Sequence, residues 1–244
     1  MNKFIGYNII GDIRGMYGWK SLVKYDCINV FVGDYFDPIT PTISHEKCVA
    51  NFNEIIDFKK DRPETIMLYG DHELQYLIYG EYDESYSPID EDLAPQIQQL
   101  LHDNASFFNG IAYSINNQYL VTHVGVSRYW YHRYFGAYNQ QTPEEVASQL
   151  NNLFGLTYRP FLAHENLKYD FVGKGTFQSP LLMDPHLLIF YNIFEGTSYK
   201  QIFGLFPYNH IIEKNGLIWV DWVDYFGVGK LPEPKITSFY IENE

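Results

Sequence analysis

The chain has 244 residues and a net charge of −13, from 17 Lys and Arg against 30 Asp and Glu. It is long enough to bury a substantial core, and its charge disfavours a phosphate backbone as a general partner, because such binding relies on Lys and Arg. Two cysteines, Cys27 and Cys48, argue against a disulfide framework, no apolar run reaches the roughly 18 residues of a membrane span, and no charged-apolar-small leader opens the chain. A cytoplasmic protein without membrane or general nucleic-acid contacts is expected. A small phosphorylated substrate drawn to a metal stays open, and no oligomeric state is implied. Without a Pro/Gly/Ser linker, repeat or low-complexity tract, residues 1–244 are expected to form one domain. The 22 Tyr and 18 Phe predict a core with wet edges rather than a stacking platform for bases.

In chain order, Tyr7–Ile10 reads as a buried strand running into Gly11-Asp12-Ile13-Arg14-Gly15. Met16–Val23 is expected to be a short helix; if it starts near Gly15, its backbone N–H groups face the acids and could hold an anion. The apolar run Ile28–Val32 leads into Gly33-Asp34-Tyr35-Phe36-Asp37, where the glycine allows a sharp turn and two acids project from the strand end. Ser44 is an N-cap candidate, and Cys48, Val49, Phe52, Ile55 and Ile56 follow at helical spacing, which predicts a helix over Ser44–Lys60 ended by Asp61-Arg62-Pro63. Thr65–Tyr69 is the next strand and runs into Gly70-Asp71-His72-Glu73. Strand, helix, strand in this order predicts parallel pairing. Three Gly-Asp strand ends would gather carboxylates at one sheet edge, where open α/β sheets place their sites. A divalent cation is the usual agent that neutralises such a cluster.

An acidic excursion is expected around residues 80–105, with Glu81–Asp92 carrying six acids and no Lys or Arg, and a helix over Leu93–His102 within it. Ile111–Ile115, Asn116-Asn117 and Gln118–Val121 read as a hairpin that feeds Thr122-His123-Val124-Gly125. Thr142, Pro143 and Glu145 have the features of a capped helix start, with Val146, Leu150 and Leu153 on one face. Late in the chain, Gln201–Gly204 is a further strand end and Asn215-Gly216 a hairpin turn before Leu217–Trp222. Early βαβ units and late hairpins together predict an α/β protein with two mixed sheets and flanking helices.

The order of these motifs resembles the calcineurin-like metallophosphoesterases, in the branch with serine/threonine protein phosphatases and diadenosine tetraphosphatases. The resemblance is motif-level and runs from Ile9 to about Leu231. It implies a four-layer α/β/β/α sandwich and a site with two metals bridged by an aspartate and a water. Gly11–Gly15 is similar to the first motif, Gly-Asp-x-His-Gly: Asp12 matches a metal ligand, and Arg14 stands where a histidine ligand belongs. Gly33–Ile39 is similar to Gly-Asp-x-x-Asp-Arg-Gly: Asp34 matches the bridging ligand and Asp37 the orienting acid, while Pro38 replaces a phosphate-gripping arginine. Gly70–Glu73 is similar to Gly-Asn-His-Glu: Asp71 takes the place of an asparagine ligand, and His72 matches the histidine that protonates the leaving oxygen. His123 matches a second-metal ligand. In Gln201–Pro207, similar to the last ligand motif, the histidine has become Leu205. Phe226–Leu231 resembles the closing strand region.

The likeness therefore implies metal ligands at Asp12, Asp34, Asp71 and His123 and catalytic roles for His72, Asp37 and Arg14, while the departures at Arg14 and Leu205 leave one divalent ion rather than two. Two carboxylates and an imidazole suit Mn²⁺, Mg²⁺ or Zn²⁺. Arginine cannot ligate a metal, and a unit positive charge about 4 Å from a divalent ion costs roughly 8 kcal/mol at an effective dielectric near 20. Arg14 and a metal beside Asp12 thus tend to exclude each other. If Arg14 swings in, it replaces that metal's charge, pairing with Asp12 and Asp34 or clamping a phosphate oxygen.

Two functions are compatible with these residues. One is a phosphoesterase with a reduced site acting on a small phosphoester or a phosphoprotein. The other is a non-catalytic binding or scaffold module with the same fold. Other classes fit less well. Gly173-Lys174-Gly175-Thr176 lacks the spacing of a phosphate loop, and no Gly-x-Ser-x-Gly turn occurs. His45, His102, His132, His164, His186 and His210 have no second ligand at useful spacing and read as surface or satisfied core histidines.

Overall fold

A computed structural model describes residues 4–38, 42–81, 89–162, 179–183, 185–204, 212–220 and 236–243. Two mixed sheets stack with helices outside them, which is the fold class that the motif order implies. The first sheet has the order β3-β2-β1-β9 and the second β4-β5-β6-β8-β7. In the first, β1 (Gly6–Ile10), β2 (Ile28–Phe31) and β3 (Ile66–Met67) run parallel, and β9 (Ser238–Glu242) closes the edge antiparallel to β1. In the second, β4 (Ala112–Ile115) and β5 (Tyr119–Thr122) form a hairpin. β6 (Lys200–Phe203) lies parallel to β5, and β8 (Leu217–Trp219) parallel to β6, with β7 (Ile212–Lys214) antiparallel at the edge.

The period-2 alternation of a strand explains the layering. Ile9, Val30 and Ile66 lie in one register row, and Val121, Ile202 and Ile218 in another. These two rows meet between the sheets in one apolar cluster. Their neighbours Ile10, Phe31 and Met67 point the other way, onto the outer cluster that holds Cys48, Phe52, Ile55 and Ile56 of α2 (His45–Asp61). On the far side, Leu120 joins Val146, Leu150 and Phe154 of α6 (Pro143–Leu156). Each fully buried side chain of this size contributes roughly 1.5–3 kcal/mol.

The helix starts follow their sequence signals. Ser44 caps α2 by accepting from Lys47 N. Thr142 and Glu145 exchange hydrogen bonds at the start of α6 as a capping box. Helices α3 (Asp71–Leu77), α4 (Ala94–Asp103), α5 (Arg128–Phe135) and α7 (Pro185–Tyr191) complete the set used below. Within the acidic excursion, residues 82–88 lie outside the described residues, whereas α4 is packed, burying Ala94, Ile97 and Leu101. No helix among the described residues is long and apolar enough to cross a membrane.

One local expectation fails. The helix after Gly15 is α1, only Trp19–Leu22, and it starts too late to aim its N–H groups at the acids. Arg14 and Gly15 take φ of 48° and 71°, and their N–H groups donate to Asp34 O at 2.7 Å and Tyr35 O at 3.1 Å. The tips of β1 and β2 are laced to each other, so no anion-holding helix start forms there.

Candidate active site

The parallel strands of the first sheet all deliver their tips to the same edge. Asp12 follows β1, Asp34 follows β2, and Asp71 follows β3 as the first residue of α3. From the second sheet, His123 follows β5 and Gly204 follows β6. Asp12, Asp34, Asp71, His72 and His123 are all buried. Ligand atoms of Asp12, Asp34 and His123 lie within 4.8 Å of one another, and so do those of Asp34, Asp71 and His72.

His123 is tied in at both nitrogens. Nδ1 donates to Val32 O at 3.0 Å, which aims Nε2 at Asp71 Oδ1, 2.9 Å away, and Asp34 Oδ1, 3.5 Å away. With an acceptor at each nitrogen the ring is an imidazolium. Its pKa is raised well above the usual value: burial works against the charge, but Asp34, Asp12 and Asp71 outweigh it. Asp34 is held below the usual carboxylate range: burial works against its charge, but His123 and Arg14 outweigh it. Asp12 is pushed up to about 7, first by burial and then by Asp34, against His123 and Arg14. Unlike charges are thus already matched within the cluster.

Arg14 has swung in. Its Nε lies 3.1 Å from Asp34 Oδ2, as an ion pair rather than an aligned hydrogen bond. Its outer nitrogen donates to Asp37 O at 3.2 Å and lies 2.6 Å from His72 Nε2. Arginine carries only donors, so His72 Nε2 is the acceptor and this ring is neutral. Its Nδ1–H then donates to Asp37 Oδ2 at 2.7 Å. The acids around His72 pull its pKa upward, Asp34 foremost, against burial and Arg14. While Arg14 holds Nε2, that pull is not satisfied.

The donor set suits one hard ion on the His123 side: Val32 O holds Nδ1–H, so Nε2 faces two carboxylates and would become a ligand on giving up its proton. Bare backbone flanks the acids: a Cβ at Gly70 would lie 2.3 Å from Asp34 Oδ1, and one at Gly204 would lie 2.8 Å from Asp12 Oδ1. Those glycines keep open the space that side chains would fill. The other side is crossed by a cation of the chain's own. There Arg14 already touches two members of the Asp34, Asp71 and His72 group.

Several residues around the site were not picked out by spacing. Glu73 is fully buried and accepts from Asp34 N at 2.8 Å, Gly70 N at 2.9 Å and Tyr35 N at 2.8 Å, locking the tip of β2 onto the start of α3. The Gly-x-x-Glu spacing of a capping box was the available signal. Tyr76 donates its hydroxyl to Asp37 Oδ1. It sits four residues after His72, on the same helical face, a spacing that could have marked it. His45 lies half-buried between Asp37 and Asp90, at 3.2 Å from each, and nothing in its spacing signals this. His102 and His132 are exposed. Ile39, Leu205 to Pro207, His164, His210, Gly173–Thr176 and Phe226–Leu231 lie outside the described residues, as does the His186 side chain.

No family model matches the chain, and no curated protein matches it. Among solved structures it is similar to a protein serine/threonine phosphatase from Saccharomyces cerevisiae with similarity to human phosphatase PP5. The TM-score is 0.35 at 18% identity, over 51% of this chain and 39% of that one. A likeness of that degree assigns nothing to this chain, whose site stands on its own residues.

Proposed function

We propose that the chain is a phosphoesterase of the calcineurin-like kind with a reduced site, acting on a small phosphoester or a phosphoprotein. One observation carries this reading: Asp12, Asp34, Asp71 and His123 converge in one buried cluster beside a hydrogen-bonded His72–Asp37 pair. Asp34, Asp71 and His123 would hold one divalent ion, with Asp12 alongside; the donor set suits Mn²⁺, Mg²⁺ or Zn²⁺. When bound, such an ion supplies Lewis-acid polarisation of a phosphoryl oxygen.

The remaining chemistry belongs to the chain. Arg14 is a fixed cation with several N–H donors in a fork that matches phosphoryl oxygens. An anionic oxygen is a better acceptor for it than the neutral ring of His72. Transfer of Arg14 from His72 Nε2 to substrate would free that nitrogen to take a proton from solvent water, with Asp37 steadying Nδ1–H. His72 would then give the proton to the leaving oxygen.

The Arg14–His72 contact also favours a second reading, a non-catalytic binding or scaffold module closed by its own arginine. Metal content of protein purified without chelator, followed by turnover of an aryl phosphate with added Mn²⁺, separates the two. Under the first reading His72→Ala lowers turnover by about 10²–10⁴-fold, the usual contribution of a general acid. Metal-free protein with no turnover rejects it.

A further inference from the structure

The Asp37 carboxylate is held by more than His72. Oδ2 accepts from His72 Nδ1 at 2.7 Å, while Oδ1 meets both the Tyr76 hydroxyl and His45 Nε2, the latter at 3.2 Å. His45 is the first residue of α2, and its Nδ1 lies 3.2 Å from Asp90 Oδ2. The other oxygen of Asp90 accepts from Asp92 N and Leu93 N, both at 3.1 Å, which fixes it at the approach to α4. His45 is thus wedged between two acids from separate segments, one at each ring nitrogen. Its side chain is 29% exposed, whereas those of Asp37 and His72 are 5% and 4% exposed.

This arrangement exceeds what helix α2 needs at its start. Ser44 already caps the helix, and α2 is anchored by buried apolar residues further along. Without His45 the Asp37 carboxylate would be held from α3 only, by Tyr76 and His72, and would be freer to pivot about its Cβ–Cγ bond. Contacts on Oδ1 from α2 and α3 remove that freedom and keep Oδ2 facing His72 Nδ1.

We infer that His45, backed by Asp90, is a positioning residue for the His72–Asp37 pair. The inference rests on reading the site as a phosphoesterase, and its test has one arm that depends on turnover and one that does not. Proton delivery matters more as the leaving oxygen becomes more basic. With Mn²⁺ present, His45→Ala is expected to lose roughly tenfold in kcat on phenyl phosphate and less than about twofold on 2,4-dinitrophenyl phosphate, a fraction of a general acid's full contribution, with KM unchanged. His45→Gln, which keeps N–H donors, should recover part of the loss, and His132→Ala, at an exposed position of α5, should match the wild type. Equal losses on the two esters would mean a merely structural role and overturn the inference.

The second arm is the His72 Nδ1–H signal in ¹H–¹⁵N spectra of histidine side chains. It is expected to broaden by faster solvent exchange in His45→Ala. A signal that is the same in both proteins overturns the inference even if the wild type turns over no ester, an outcome that instead sinks the phosphoesterase reading. Should His45→Ala fail to fold, His45→Gln and Asp90→Asn are measured in its place, with smaller effects in the same direction.

Discussion

Among the described residues, the hairpin turns and the site's strand tips both put non-glycine residues into left-handed backbone, and they do so for different reasons. At the hairpin turns of the second sheet, Asn116, Asn117 and Asn215 have φ of 50°, 52° and 53°. Asparagine tolerates that region because its side chain bonds locally, and a two-residue hairpin asks for it. At the strand tips of the first sheet, Arg14, Asp34 and Asp37 have φ of 48°, 56° and 57°. Aspartate shares part of that tolerance, but arginine has no such local compensation, and its left-handed backbone costs about 1–2 kcal/mol. What offsets the cost is tertiary: Arg14 N donates to Asp34 O, Glu73 accepts from Asp34 N, and Asp37 is gripped by His72, Tyr76 and His45. The hairpins are strained only where the local sequence relieves it. The site is strained where only the assembled fold can, as expected of a place shaped for chemistry.

The largest effect should come from adding one methyl group on each side of this comparison. Gly33 has φ of 108°, and a Cβ there would lie 2.4 Å from Gly70 N, backbone that cannot swing aside. Gly216 has φ of 74°, but its nearest obstacle, Tyr199 O, is 3.4 Å away. Gly33→Ala should lose about 3–5 kcal/mol, strain and overlap together, against about 1–2 kcal/mol for Gly216→Ala. Equal losses in chemical denaturation would mean that the tips are no more constrained than the turns.

Next in size is Arg14→Ala, which leaves the fully buried Asp34 carboxylate short of a cation. Breaking a buried pair in this way costs about 3 kcal/mol or more. The hairpins have no counterpart, since their turns carry no buried charge. If Arg14 and an ion compete for the same acids, Mn²⁺ should restore part of the loss, and it should raise the unfolding midpoint of Arg14→Ala more than that of the wild type. At 100 times its dissociation constant a ligand adds about 2.7 kcal/mol. Equal shifts in the two proteins would show that arginine and ion do not exclude each other. Arg14→His should also bind more Mn²⁺ per chain than the wild type, read by titration calorimetry.

The same contrast explains what was legible beforehand. Ser44 and Thr142 mark their helices, Asn116-Asn117 and Asn215-Gly216 mark their turns, and three Gly-Asp strand ends mark the site edge, because each signal lies within a few residues of what it controls. The apolar runs Tyr7–Ile10 and Ile28–Val32 likewise mark buried strands. The lacing of Arg14 and Gly15 to Asp34 and Tyr35 was not legible, and it cut α1 to four residues. Nor was the choice of His72 Nε2 by Arg14, or the span of His45 from Asp37 to Asp90. These contacts join segments whose meeting depends on the register of the whole first sheet, and no local spacing records it.

The smallest effect tests the hairpin side by itself. Asn116 is exposed at φ 50°, so only the local conformation is at stake there. Asn116→Gly should change stability by less than about 0.5 kcal/mol, because glycine enters left-handed backbone freely and asparagine nearly so. Asn116→Val should cost about 1–2 kcal/mol, because a β-branched residue fits this region worst. The gap between the two measures the local cost of positive φ without any change in buried contacts. At Asp34 the matching change, Asp34→Gly, should remove the strain and still destabilise metal-free protein, because Arg14 and His123 would lose the acid they share. If Asp34→Gly instead stabilises the fold by the amount that separates the two Asn116 variants, the strand tips are held by local preference after all, and the distinction between the two regions disappears.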